Sequence, residues 1–255
     1  MRRLLVLLAG AGAALAVVAV VATRRSTAPS GRLERLVRST IGLPSGPLGW
    51  VTARRMEADH RPIYPMMATE LDLQPDDDLL DVGCGAAGLL ASQATHVRYV
   101  AGLDASGIQV SLARRRLAER IDEGTAEIVL GDATTLPWED GRFSVVTAYG
   151  CLEFVPDPLR ALSEMYRVLR PGGRAVLTLG LATDDASTSG TKNRWGFTAW
   201  TAADGRRLLE EAGFADVSIS PPPTRYFTLQ LARGTKPASV PVPGPVPAGD
   251  SVSPA

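Results

Sequence analysis

The stretch Leu79-Leu80-Asp81-Val82-Gly83-Cys84-Gly85-Ala86-Ala87-Gly88 places an apolar, strand-like run ahead of a glycine-spaced loop, with a helix starting near Ala87. Glycines there let the backbone approach a ligand closely, and the helix start offers free N–H groups to the ligand's anionic end. Asp104 closes the next strand-like run 21 residues after Gly83. A carboxylate at that place accepts hydrogen bonds from the vicinal hydroxyls of a ribose. This is the chemistry of a nucleoside cofactor, and on these residues alone NAD fits as well as any other.

Further features separate the candidates. A short-chain NAD-dependent oxidoreductase wants a Tyr-x-x-x-Lys pair, and neither Lys192 nor Lys236 has a tyrosine four residues earlier. Asp81 stands two residues before the first glycine, Gly131-Asp132-Ala133 ends the third strand-like run, and Leu169-Arg170-Pro171-Gly172-Gly173 precedes the fifth. On these motifs the chain, from roughly Pro62 to Arg233, resembles the class I S-adenosylmethionine-dependent methyltransferases. Leu136-Pro137-Trp138 and Leu162 through Leu169 are most similar to the type 11 and ubiquinone/menaquinone-biosynthesis group.

The resemblance implies S-adenosyl-L-methionine as cofactor and a binding set of Asp81, Gly83, Cys84, Gly85, Asp104, Ala105, Asp132 and Ala133. Within it, Asp81, Gly83 and Gly85 shape the pocket for the methionine part, Asp104 takes the ribose hydroxyls, and Asp132 with Ala133 meets adenine. The bland reading of Asp104 and Asp132 is strand-end capping. Two positions depart from the family: Ala87 stands where glycine is usual, and Ser144 opens the fourth strand in place of aspartate.

Methyl transfer from a sulfonium is an in-line displacement served by proximity, alignment and dry packing, so a base is needed only where the acceptor must lose a proton. Cys151-Leu152-Glu153-Phe154-Val155-Pro156-Asp157 resembles the family's Leu-Glu-His-Val-Pro-Asp segment, with Phe154 replacing the histidine. The candidates left for the acceptor side are Glu153, Tyr149 and His60. Each has a second reading: a cap for Glu153, packing for Tyr149, an ordinary surface histidine for His60. A binding protein that keeps the fold without turnover is the alternative. Leu181 to Trp200, with Trp195, Phe197 and Trp200, resembles the connection that shapes the acceptor pocket, or is a packing cluster.

The elements that position these residues follow from hydropathy. Leu79–Val82, Tyr99–Leu103, Ala126–Leu130, Ser144–Tyr149 and Ala175–Leu179 read as strands with helical patterns between most of them, and two late strands lie near Val217–Ser220 and Tyr226–Ala232. This alternation predicts an α/β fold, a doubly wound, mostly parallel sheet with helices on both faces, and the resemblance implies the seven-stranded, Rossmann-like methyltransferase type. Ser106 to Ile121 reads as a helix with Ile108, Leu112, Leu117 and Ile121 inward, its Arg114-Arg115-Arg116 run a solvated face.

The ends read differently. Leu4 to Thr23 is twenty uncharged residues, enough at about 1.5 Å each to span a bilayer core. The arginines from Arg24 to Arg38 favour a cytosolic domain behind a single-pass membrane anchor, with a cleavable signal as the rival. The expected organisation is an anchor over 1–25, a linker over 26–60 with a short amphipathic helix from Arg32 to Gly42, the methyltransferase domain over 61–233, and a disordered proline-rich tail over 234–255.

With 27 basic against 27 acidic residues, 45% hydrophobic and 21% charged, the composition is globular and gives no sequence-wide pull toward nucleic acid. Two cysteines, Cys84 and Cys151, build neither a disulfide scaffold nor a metal site and fit a reducing compartment. The expected partner is a small or lipid-like acceptor met at the membrane.

Overall fold

The computed structural model describes residues 44, 46–180, 190, 198–220 and 229–238. The apolar segment 4–23, the helix over 32–42, Trp195, Phe197, Tyr226 and the tail from 239 on lie outside the described residues. Among the described residues no helix is long and apolar enough to cross a membrane.

In chain order the helices are α1 (Gly46–His60), α2 (Tyr64–Leu71), α3 (Gly88–Gln93), α4 (Gly107–Arg116), α5 (Ala118–Asp122), α6 (Pro158–Val168) and α7 (Ala202–Glu211). The strands are β1 (Asp78–Val82), β2 (Tyr99–Asp104), β3 (Ala126–Leu130), β4 (Phe143–Ala148), β5 (Leu169–Gly180), β6 (Ala215–Ser220) and β7 (Leu229–Thr235). They form one seven-stranded sheet in the order β3-β2-β1-β4-β5-β7-β6. All neighbours are parallel except β7, which runs antiparallel between β5 and β6. β1 and β4 are buried along their whole length, as central parallel strands covered on both faces require. One apolar cluster fills each face of the sheet. The strand order reverses between β1 and β4, so the crevice outside their carboxyl ends is the place this topology offers a ligand.

The opposite, amino ends of the central strands are pinned by ions. The Ser144 hydroxyl donates to Asp77 Oδ1 at 2.6 Å and accepts from the Asp78 N–H at 2.9 Å, while Arg174 donates to Asp77 Oδ2 at 2.7 Å. Ser144 thus does the joining work expected of an aspartate, with the carboxylate supplied by Asp77. Asp78 is held by Arg98 and Arg142.

Four expectations need correction. Residues 46–60 are not linker: α1 packs on the domain, its Gly49 so close that a Cβ would stand 2.8 Å from Ile108 Cδ1. The domain does not end at Arg233, because β7 continues to Thr235 and the Lys236 N–H donates to Gly173 O at 2.9 Å; Lys236 Nζ also donates to Tyr166 O at 3.0 Å. The helix expected over 106–121 breaks at Leu117 into α4 and α5. It buries Gln109, Val110, Ala113 and Leu117, leaving Ile108, Leu112 and Ile121 half-buried, a rotation set by how α4 seats on β3. The arginine run is not simply solvated: Arg114 donates twice to Ile128 O on the edge strand β3, and Arg116 to Ala86 O at 2.9 Å.

Candidate active site

The glycine loop is shaped by backbone bonds across the ends of β1 and β2. The N–H groups of Gly83 and Cys84 both donate to Leu103 O, at 2.7 and 3.0 Å, turning the chain off β1. Gly83 has φ +78°, and a Cβ there would lie 2.5 Å from Cys151 Sγ, so only glycine fits. Asp104 accepts from Gly85 N–H at 2.9 Å and from Ser106 N–H at 2.8 Å, one bond per oxygen. Each oxygen keeps lone-pair capacity, so capping and ribose binding are compatible roles. Ala87 is buried with φ +58°, left-handed backbone that explains the family's preference for glycine there.

Over the carboxyl ends of the strands lies a cavity of about 850 Å³. All eight expected cofactor residues line it, from Asp81 on β1 to Ala133 beyond β3, and so do Tyr149 and His60. Their rings meet edge to face, centroids 5.3 Å apart. Glu153 is not in the lining: it is buried behind it, with Oε2 lacking a partner. Trp200, the described member of the aromatic stretch, is a core residue on the β5 side of the sheet. Cys84 and Cys151 are free, and burial pushes both thiols well above their usual range, which makes them wall rather than nucleophile.

Burial dominates the electrostatics. Asp81, 3% exposed, has one carboxylate oxygen without a partner, and desolvation with the neighbouring Asp104 charge raises its pKa to about 7. Asp104 is raised by burial, against the two N–H bonds it accepts. Asp132, exposed at the rim, is held below the usual carboxylate range by the Thr134 N–H and hydroxyl. Burial lowers His60, opposed by Asp59 and Glu57, so the ring is neutral near pH 7. Burial raises the Tyr149 hydroxyl and, to about 7, the Glu153 carboxyl.

Three lining residues with polar side-chain groups, Glu57, Tyr64 and Gln109, escaped sequence reasoning. Glu57 and Tyr64 come from α1 and α2, with no short motif to mark them. Gln109 had a signal: Ser106-x-x-Gln109 is capping-box spacing. Ser106 accepts from Gln109 N–H at 3.5 Å, but Asp104 takes the Ser106 N–H that a capping-box glutamine would use. The Gln109 side chain is thereby left in the cavity wall with Oε1 unpartnered.

Four carboxylates, Glu57, Asp81, Asp104 and Asp132, line the cavity, and among the described residues no lysine or arginine does. The lining also includes the apolar or aromatic side chains of Ala53, Met56, Leu89, Tyr149 and Phe154. Such a cavity favours a ligand of net positive charge at one end and an apolar body at the other.

Residues 80–177 match a family model described as a methyltransferase domain. An uncharacterised 37.1 kDa protein in transposon TN4556 of Streptomyces fradiae is 36% identical over 66% of this chain and 52% of its own length. Demethylmenaquinone methyltransferase of Bacillus cereus is 37% identical over 42% of this chain and 46% of its own length. The chain thus spans about half the length of these curated relatives. Among solved structures, a Haloferax volcanii chain described as a putative methyltransferase, in complex with the Trm112 methyltransferase activator, shares the fold. Its TM-score is 0.61 at 21% identity, over 75% of this chain and 95% of that one.

Proposed function

We propose that this chain, which carries a class I S-adenosylmethionine-dependent methyltransferase domain of the type 11 group over residues 80–177, transfers a methyl group to a small or lipid-like acceptor. The observation that carries the reading is the charge of the cavity. S-adenosylmethionine bears a sulfonium and an ammonium against one carboxylate, whereas the NAD pyrophosphate would face four carboxylates with no lysine or arginine among the described lining residues. The unpartnered oxygen of buried Asp81 is an acceptor in need of a donor.

When bound, the cofactor supplies a methyl group on positively charged sulfur. The protein's part is to place and to exclude water. Asp104 presents carboxylate oxygens to the ribose while fixing the loop, and Asp132 with Ala133 bounds the adenine end. Met56, Tyr149 and Phe154 supply a dry wall for the acceptor. His60, kept neutral by burial and edge-on to Tyr149, is the group placed to take a proton from an acceptor that must lose one.

The acceptor candidates are a quinone ring and a phospholipid headgroup, supported by the apolar wall and by what the Bacillus cereus relative is named for. The apolar run Leu4 to Thr23 and the arginines behind it support a membrane-anchored, cytosol-facing enzyme that meets its acceptor at the bilayer. The second reading, a cofactor-binding protein without turnover, is favoured by Phe154 in the histidine's place.

Calorimetric titration with S-adenosylmethionine and, separately, NAD tests the cofactor: micromolar binding of the former alone is expected, and binding of NAD alone would overturn the proposal. Formation of S-adenosylhomocysteine on a panel of quinols and phospholipids separates enzyme from binding protein.

A further inference from the structure

Glu57 reaches down from α1 onto the glycine loop. A Cβ on Gly88 would stand 2.2 and 2.5 Å from its two carboxylate oxygens and 2.4 Å from the Tyr64 hydroxyl, so the bare backbone of Gly88 is what lets the carboxylate sit there. Glu57 Oε1 pairs with Arg116 at 2.8 Å, and Oε2 accepts from the Tyr64 hydroxyl at 2.9 Å. Arg116 also donates to Ala86 O, tying helix and loop together. Each oxygen of a carboxylate has room for a second donor. Glu57 shares the lining with Asp81, whose Oδ1 has no partner, and Tyr64 feels the charge of both. Two carboxylates, one from α1 and one from β1, therefore line the same cavity; Arg116 pairs with Glu57 from behind, and among the described lining residues no lysine or arginine faces Asp81.

We infer that Glu57, together with Asp81, receives the α-ammonium of the cofactor's amino-acid arm, so that α1 is part of the cofactor site as well as its roof. This rests on the methyltransferase reading above. It makes Glu57 a specificity determinant: a nucleoside ligand without an amino group leaves Asp81 Oδ1 without a donor and the second lone pairs of Glu57 unused, and an anionic linker meets repulsion.

The test compares S-adenosylhomocysteine with its deamino analogue, 5′-S-(3-carboxypropyl)-5′-thioadenosine, by calorimetry on the full chain. The wild type is expected to bind the amino compound at least about tenfold more tightly. In Glu57→Gln that ratio is expected to fall to about threefold or less, with the affinity for the deamino analogue unchanged. If Glu57→Gln weakens both ligands equally, or leaves the ratio intact, Glu57 is only a latch between α1 and the loop and the inference fails. Glu57→Asp keeps the charge and is expected to keep a ratio above that of Glu57→Gln, which guards against misfolding of the neutral variant; a ratio no higher than that variant's counts against the inference. A wild type that binds neither compound overturns the underlying cofactor reading instead.

Discussion

At Asp104 a single side chain fixes the glycine loop and is proposed to hold the ribose, and a substitution there tests both. Its oxygens hold the N–H groups of Gly85 and Ser106, and bonds of this kind to an ionised group contribute about 1.5–3 kcal/mol each. Asp104→Ala is expected to weaken S-adenosylhomocysteine binding by at least about tenfold, read by calorimetry; undiminished affinity would remove the whole site assignment. Ala87 makes a subtler case. Left-handed backbone costs a non-glycine residue about 1–2 kcal/mol, which argues for replacing it with glycine. Yet Ala87→Gly also loosens the unfolded chain, by about 0.4–1 kcal/mol, and deletes a buried methyl worth about 0.8 kcal/mol. The terms nearly cancel, so denaturant unfolding is expected to place the variant within about 1 kcal/mol of the wild type. That the eight expected residues line one cavity was legible because each belongs to a strand-end motif, and the carboxyl ends of the strands meet there. Glu57 was not, since its role depends on where α1 packs, and no spacing along the chain encodes that.

At the scale of elements, alternating apolar runs were enough to place all the strands around the site, because a central parallel strand buried on both faces leaves an unbroken hydrophobic trace. What failed were features set by neighbours. The phase of α4 was misjudged because the most hydrophobic residues, Ile108 and Leu112, are not those that face β3. The position of Ser144 shows the opposite, a departure from the family that the structure repairs. Its hydroxyl links buried Asp77 to the start of β1. Ser144→Ala leaves that carboxylate and the Asp78 N–H short of a partner and is expected to cost about 1–3 kcal/mol. Restoring the family's residue alone should not help: Ser144→Asp sets a second carboxylate against Asp77. The double variant Ser144→Asp/Asp77→Ser swaps the two roles and is expected to recover stability lost by Ser144→Asp. A thermal-unfolding double-mutant cycle measures this, and additive losses would show that the pair is not coupled.

At the scale of the whole molecule, buried carboxylates at the two ends of the central strands have pKa values shifted in opposite senses. Asp77 and Asp78 at the amino end of β1 are desolvated, but the arginines and hydrogen bonds around them hold both below the usual range. The stability they contribute is present above about pH 4 and lost as pH falls below it. His60, kept neutral by burial, adds to the acid-side loss from about pH 6.5 downward. Asp81 and Glu153 have pKa values raised to about 7, chiefly by burial, so what they contribute is fully present below about pH 4 and is lost from there until pH passes about 7. Unfolding temperature without ligand is therefore expected to peak at about pH 4–5 and to fall toward about pH 7. A ligand that brings an ammonium to Asp81 favours its ionised form, so S-adenosylhomocysteine should raise the unfolding temperature more at pH 8 than at pH 6. Binding below pH 7 should release a proton, seen as a dependence of the calorimetric enthalpy on buffer ionisation heat. Asp81→Asn removes the titrating group and is expected to abolish both effects. A thermal shift independent of pH in the wild type would mean that Asp81 does not meet the cation, and would move the amino-acid arm away from the glycine loop.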